Sequence, residues 1–121
     1  MLFRSLTRIP QSIVIAGAGV IGCEYATIFA TMGVQVFLVN NSAAILPFLD
    51  QQIAAALVEA MRAAGVNIRF NNNTVAVERK NEGEVSVVHT ALNNGAVLQS
   101  EMFLYAAGRN GGTNEIGRAH V

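Results

Sequence analysis

Three glycines narrow what this chain can fold into. In SIVIAGAGVIGCEYATIFATMG, residues 12–33, Gly17, Gly19 and Gly22 form G-x-G-x-x-G where a short β-branched run gives way to helical spacing. Each glycine has its own task at such a junction. Gly17 permits a tight turn, Gly19 leaves the backbone open to a pyrophosphate, and Gly22 lets the helix pack closely on the strand. An anion at that place meets the free N–H groups and the positive end of the helix dipole. The motif alone is weak evidence. A strand before it and a helix after it are the context that gives it meaning, and they predict dinucleotide binding through Gly17, Ala18, Gly19, Val20, Ile21 and Gly22.

The periodicity predicts the rest of the frame. A strand over 12–17 leads into a helix over 20–33, with apolar residues at Ile21, Tyr25, Ile28, Phe29 and Met32 and a stop at Gly33. A second strand over 34–40 precedes a helix over 50–65, which Asp50 can cap and Gly65 follows. A third strand covers 66–70. Strand, helix, strand, helix, strand is the order of a parallel sheet with helical crossovers. The pattern then changes. Short strands over 74–80, 84–90 and 96–100, with turns at Glu82-Gly83 and Asn94-Gly95, read as a three-stranded antiparallel meander. A last apolar strand, 102–108, can rejoin the parallel sheet, and 109–121 reads as loop or tail.

At 121 residues the chain suits one domain over 11–121, with 1–10 as a lead-in that Pro10 closes. A net charge of zero and a pI near 6.7 offer nothing to nucleic acid or to an anionic membrane. The 52% apolar content fits a buried parallel sheet together with surfaces that once faced other domains. The longest apolar run, 13–23, falls short of the roughly 20 residues that span a bilayer. No charged segment followed by a clean apolar stretch and a cleavage site stands at residues 1–10, so a secretory signal is not expected. A single cysteine, Cys23, excludes an internal disulfide and a multi-cysteine zinc site, so no metal is expected and a cytoplasmic location is. Cys23 reads as a packing residue rather than a reactive thiol, and His89 and His120 have no partner at metal-ligand spacing.

Two polar positions bear on the ligand. Glu24 can complement the helix dipole as a first-turn acid, or stand near the nicotinamide end of a dinucleotide. Asn40, with Asn41 after it, stands 18 residues past Gly22, where a ribose-binding acid is expected. Asparagine offers one acceptor and one donor group and repels neither a hydroxyl nor a phosphate. No Lys or Arg lies between Arg8 and Arg62. These facts predict a site that takes NAD and NADP within about tenfold of each other. A strong preference would instead point to Arg62 or Arg69 folded back on the loop, and the plainer alternative is that Asn40 only starts a turn.

The stretches IAGAGVIGCEYATIFA, ILPFLDQQI and LYAAGRNGGTNEIG together resemble the nicotinamide-nucleotide domain of the flavoprotein disulfide reductase family, over residues 10 to about 117. The resemblance implies an α/β Rossmann-like parallel sheet with an inserted three-stranded antiparallel meander. It implies that the backbone of Gly17–Gly22 binds a pyrophosphate and that Glu24 lies near the nicotinamide and the flavin. Val75 matches a position that contacts adenine. Gly108, before Arg109, matches the A-x-G-R strand end that approaches the nucleotide. Val20 leaves open a pocket that some members cover with tyrosine.

The family's enzymes are much longer, with an FAD domain and a dimerisation domain. The resemblance therefore implies one domain of a homo-oligomeric flavoprotein, binding NAD or NADP while its parent binds FAD. The branch that fits best passes hydride between NADPH and NAD through FAD. No catalytic residue is expected in this segment. Members of that branch tend to carry basic residues just after the asparagine; Ser42 and Ala44 stand there instead. Two alternatives stay open: a dihydrolipoamide dehydrogenase-like flavoprotein, or a stand-alone nucleotide-binding module that senses redox state.

Overall fold

The computed structural model describes residues 9–83 and 85–106. Strand β1 (Ser12–Ala16) leads through the glycine loop into helix α1 (Val20–Thr31), and β2 (Gln35–Val39) follows. Helix α2 (Gln51–Ala63) then connects to β3 (Val66–Arg69). Strands β4 (Thr74–Glu82), β5 (Val85–Leu92) and β6 (Val97–Ser100) form an antiparallel meander, and β7 (Met102–Tyr105) returns to the first sheet. That sheet has the order β3-β2-β1-β7, with every pair parallel. The expected α/β architecture is the one found, including the last strand beside β1. Strands β1 to β3 and both helices end one or two residues inside their expected limits, because hydrogen-bond ladders end before apolar runs do, whereas β4 and β5 run two residues past theirs.

The chain stacks three layers. Alternate residues of a strand point to opposite faces of a sheet. Ile13 and Ile15 of β1, with Val36, Leu38, Val66 and Ile68, face Cys23, Ala26 and Ala30 of α1 and Met61 of α2. Val14 and Ala16 face the other way, onto Val88, Leu92 and Leu98 of the meander and Phe103 of β7. A parallel sheet covered on both faces explains why its strands read as unbroken apolar runs. Asp50 caps α2 as expected, its Oδ1 accepting from the Gln52 N–H at 2.7 Å.

Helix α1 turns its small residues to the sheet. The large residues Ile21, Tyr25, Ile28 and Met32, which supply its helical period, lie on the exposed side. Its buried residues are Gly22, Cys23, Ala26 and Ala30. Small residues bring the helix axis close to the sheet, and the bulky stripe is left outside.

The close approach is sharpest at Gly22. A Cβ there would overlap the Gly17 carbonyl oxygen and meet the Ala106 methyl at 3.5 Å. Gly17 itself has φ +114°, a conformation that glycine adopts without strain. Gly22→Ala should therefore destabilise the chain by about 1–3 kcal/mol through overpacking. Urea unfolding of the two proteins measures it, and equal midpoints would show that the turn relaxes freely.

Candidate functional site

At the C-terminal ends of β1 and β2 a cleft of about 1120 Å³ opens. Ligands of open α/β sheets bind at that end of the strands. One wall is the glycine loop from Gly17 to Ile21. A second is the loop after β2, from Asn40 to Phe48, and a third is Asn72 to Thr74 before the meander. The floor runs on between the sheet and the meander, past Phe103, Tyr105, Val77 and Val88.

Beyond Gly17 and Ala18, whose amides are bonded, the glycine loop presents donors without a partner among the described residues. Along α1 the first intrahelical bond runs from the Cys23 N–H to the Gly19 carbonyl, at 3.0 Å. The amides of Val20, Ile21 and Gly22 therefore precede the ladder. Gly19 is the N-cap residue and no side chain caps the helix. A Cβ added to Gly19 would meet nothing within 4 Å. The backbone is open there, as an approaching phosphate requires. Among the described lining residues there is no carboxylate, and Arg79 is the one cation. An anion entering this cleft meets amide dipoles, four asparagines and a guanidinium.

The predicted site residues separate into three groups. Gly17, Ala18, Gly19, Val20, Ile21, Asn40 and Asn41 come together as cleft walls. Gly22 is buried behind the loop and acts on its shape. Glu24 and Val75 are exposed and stand outside the lining. Glu24 is not a first-turn acid, because α1 begins at Val20 and its first turn holds none. Val75 sits at a register shift between Thr74 and Ala76, a bulge that turns its side chain outward. Gly108 lies outside the described residues.

Asn40 is 8% exposed, and its carboxamide is turned inward. Nδ2 donates to the Ala44 carbonyl at 2.9 Å and to Ser42 Oγ at 3.2 Å. Oδ1 accepts from the Ala18 N–H at 3.4 Å. Neither Arg62 nor Arg69 reaches the cleft. Each guanidinium lies over a phenyl ring, Phe70 and Phe37 respectively, 5.7 Å from the centroid. Burial pushes the Cys23 thiol pKa up, and its Sγ lies 3.7 Å from the Ala18 carbonyl, so it stays a protonated packing group behind the loop. Sequence reading missed Arg79, Phe48, Phe103 and Tyr105. Alternation puts Arg79 on one face of β4 and Phe103 and Tyr105 on one face of β7, but only the fold of the meander over the sheet shows that these faces border the cleft, and Phe48 sits in the irregular loop after β2, where no period marks it.

A glycine loop at a strand-to-helix turn, an uncapped helix start and a cleft free of acids among its described lining residues define a dinucleotide-type α/β domain. The chain belongs to the pyridine nucleotide-disulphide oxidoreductase family, whose pattern matches residues 3–121. It is 43% identical over 113 residues to a soluble pyridine nucleotide transhydrogenase of Marinomonas sp. (strain MWYL1), covering 93% of this chain and 24% of that one. The same-named protein of Chromohalobacter salexigens is 40% identical over 116 residues, covering 96% and 24%. Among solved structures, the HOCl-induced flavoprotein disulfide reductase RclA from Escherichia coli superposes with a TM-score of 0.76 at 27% identity, over 88% of this chain and 23% of that one. LpdA from Mycobacterium tuberculosis does so with a TM-score of 0.77 at 26% identity, over 97% and 25%. The chain spans about a quarter of the length of the curated relatives it matches. These relatives are oxidoreductases, and their family uses FAD and NAD(P).

Arg79 gives the cleft a testable electrostatic character. Arg79→Gln should weaken nucleotide binding a few-fold, by about 1 kcal/mol, and flatten its salt dependence. Calorimetric titration at two ionic strengths checks both effects. An unchanged affinity with an unchanged salt slope would remove Arg79 from the site.

Proposed function

We propose that this chain is the nicotinamide-nucleotide domain of a flavoprotein that transfers hydride between NADPH and NAD through FAD. The observation that carries the reading is the open glycine loop at the uncapped start of α1, facing a cleft whose described lining has no carboxylate. The 43% and 40% identities to proteins named as soluble pyridine nucleotide transhydrogenases support the particular branch. The pyrophosphate is held by the amides at Val20 and Ile21, across the bare Cα of Gly19. The 2′-hydroxyl or 2′-phosphate end lies toward the loop after β2, where no carboxylate opposes a phosphate. The flavin, carried elsewhere in the parent protein, supplies the two-electron chemistry. This chain's residues bind and orient the nicotinamide partner, and none of them is assigned a catalytic step.

The partners in this reading are the FAD domain and the dimerisation domain of a cytoplasmic parent protein. The exposed apolar stripe on α1 supports it, since an α-helix apolar on both sides calls for a second covering layer. No helix among the described residues is long and apolar enough to cross a membrane. Residues 11–121 form the binding domain and 1–10 its lead-in. Glu24 and Gly108 remain candidates for the nicotinamide end, and Val75 for the adenine end.

Gly19→Val tests the loop directly. The side chain has space in the protein alone, so the fold should persist while the phosphate is excluded. Titration calorimetry with NADH and NADPH should show binding to the original chain and none to the variant. Equal binding would move the site away from the loop. The purified chain should also carry no flavin absorbance, because one G-x-G-x-x-G serves one dinucleotide; a stoichiometric yellow preparation would contradict that.

A further inference from the structure

Asn40 holds together three pieces of chain that line the cleft and the end of β3 beside them. Its backbone N–H donates to the Arg69 carbonyl at 2.9 Å, and its carbonyl accepts from the Asn72 N–H at 3.0 Å. Its side chain reaches forward to Ala44 and Ser42 and back to Ala18. The segment it holds, 41–49, has no regular secondary structure to fix its path. Leu46 in that segment takes φ +44°, a left-handed conformation that a leucine adopts only when its surroundings impose it. The Ser42 carbonyl of the segment accepts from the Asn71 N–H, and the Ala44 carbonyl accepts from Asn40 Nδ2 and also from Ser42 Oγ at 3.0 Å. A carboxamide suits this task because one end donates twice while the other accepts. A carboxylate of the same size can accept from Ala18 but cannot donate to Ala44.

We infer that Asn40 is a positioning residue, whose buried carboxamide fixes the 41–46 wall of the cleft against the glycine loop instead of reading the ribose itself. The inference rests on the proposed nucleotide site, and it reverses the effect expected of an acid at this place. A ribose-reading residue improves for NAD when it becomes a carboxylate, because both ribose hydroxyls gain an acceptor. A clamp that needs its donor fails under the same change.

The test compares the full chain with Asn40→Asp by calorimetric titration with NAD and by two-dimensional amide NMR. In the original chain the Asn40 carboxamide protons should exchange slowly with solvent. In the variant the Ala18 amide and those of 42–46 should shift, the amides of β5 and β6 should stay in place, and NAD affinity should fall at least fivefold. Fast exchange of the Asn40 carboxamide in the original chain overturns the inference even if the variant does not fold. So do unchanged 42–46 resonances in the variant, or NAD binding that is equal or tighter. If the original chain binds no nucleotide at all, the functional reading fails, and the exchange and shift data still decide whether Asn40 is the clamp.

Discussion

The contact between Gly22 and the carbonyl of Gly17 sets the distance from α1 to the parallel sheet. Nothing larger than hydrogen fits there without overlap. Because the helix lies so close, its sheet side must be small all along, and Cys23, Ala26 and Ala30 continue what Gly22 begins. The same closeness aims the first turn of α1 at the ends of β1 and β2. Its unpaired amides then look into the cleft instead of across the surface. Fold and cleft thus share one constraint: the turn that packs the helix also turns the first amides of α1 toward the cleft.

The rest of the cleft is built by what surrounds this turn. The Gly17 N–H donates to the Val39 carbonyl at 2.8 Å and the Ala106 N–H to the Ala16 carbonyl at 2.8 Å, so both neighbouring strands end level with the loop. Asn40 stands just past the end of β2 and reaches into the wall opposite. The meander closes the other face of the sheet and brings Val77 and Arg79 to the border of the same space. No single element is a binding module on its own.

Much of this was legible in the sequence. The strand-to-helix glycines, the Asp50 cap and the switch from helical to alternating periodicity each have a local physical cause, so each could be read locally. The direction of α1 could not. Its large residues keep a helical period on either face, and only the space beneath Gly22 shows that the small ones face the sheet. Asn40 was placed correctly at the strand end, yet its role depends on Ala18 and Ala44, which lie 22 residues before it and 4 after it. Arg79 was invisible for a similar reason: its nearness to the cleft follows from how the meander folds over β7, a long-range fact that no window of sequence contains.

Everything proposed for this chain depends on where the pyrophosphate binds. A crystal structure of the chain with NADP tests that most directly. The pyrophosphate oxygens should lie within hydrogen-bond distance of the Val20 and Ile21 amides, over the open Cα of Gly19, with the adenosine end against the loop after β2. A dinucleotide bound in full occupancy elsewhere, for example along the exposed stripe of α1 with the glycine loop empty, would contradict it.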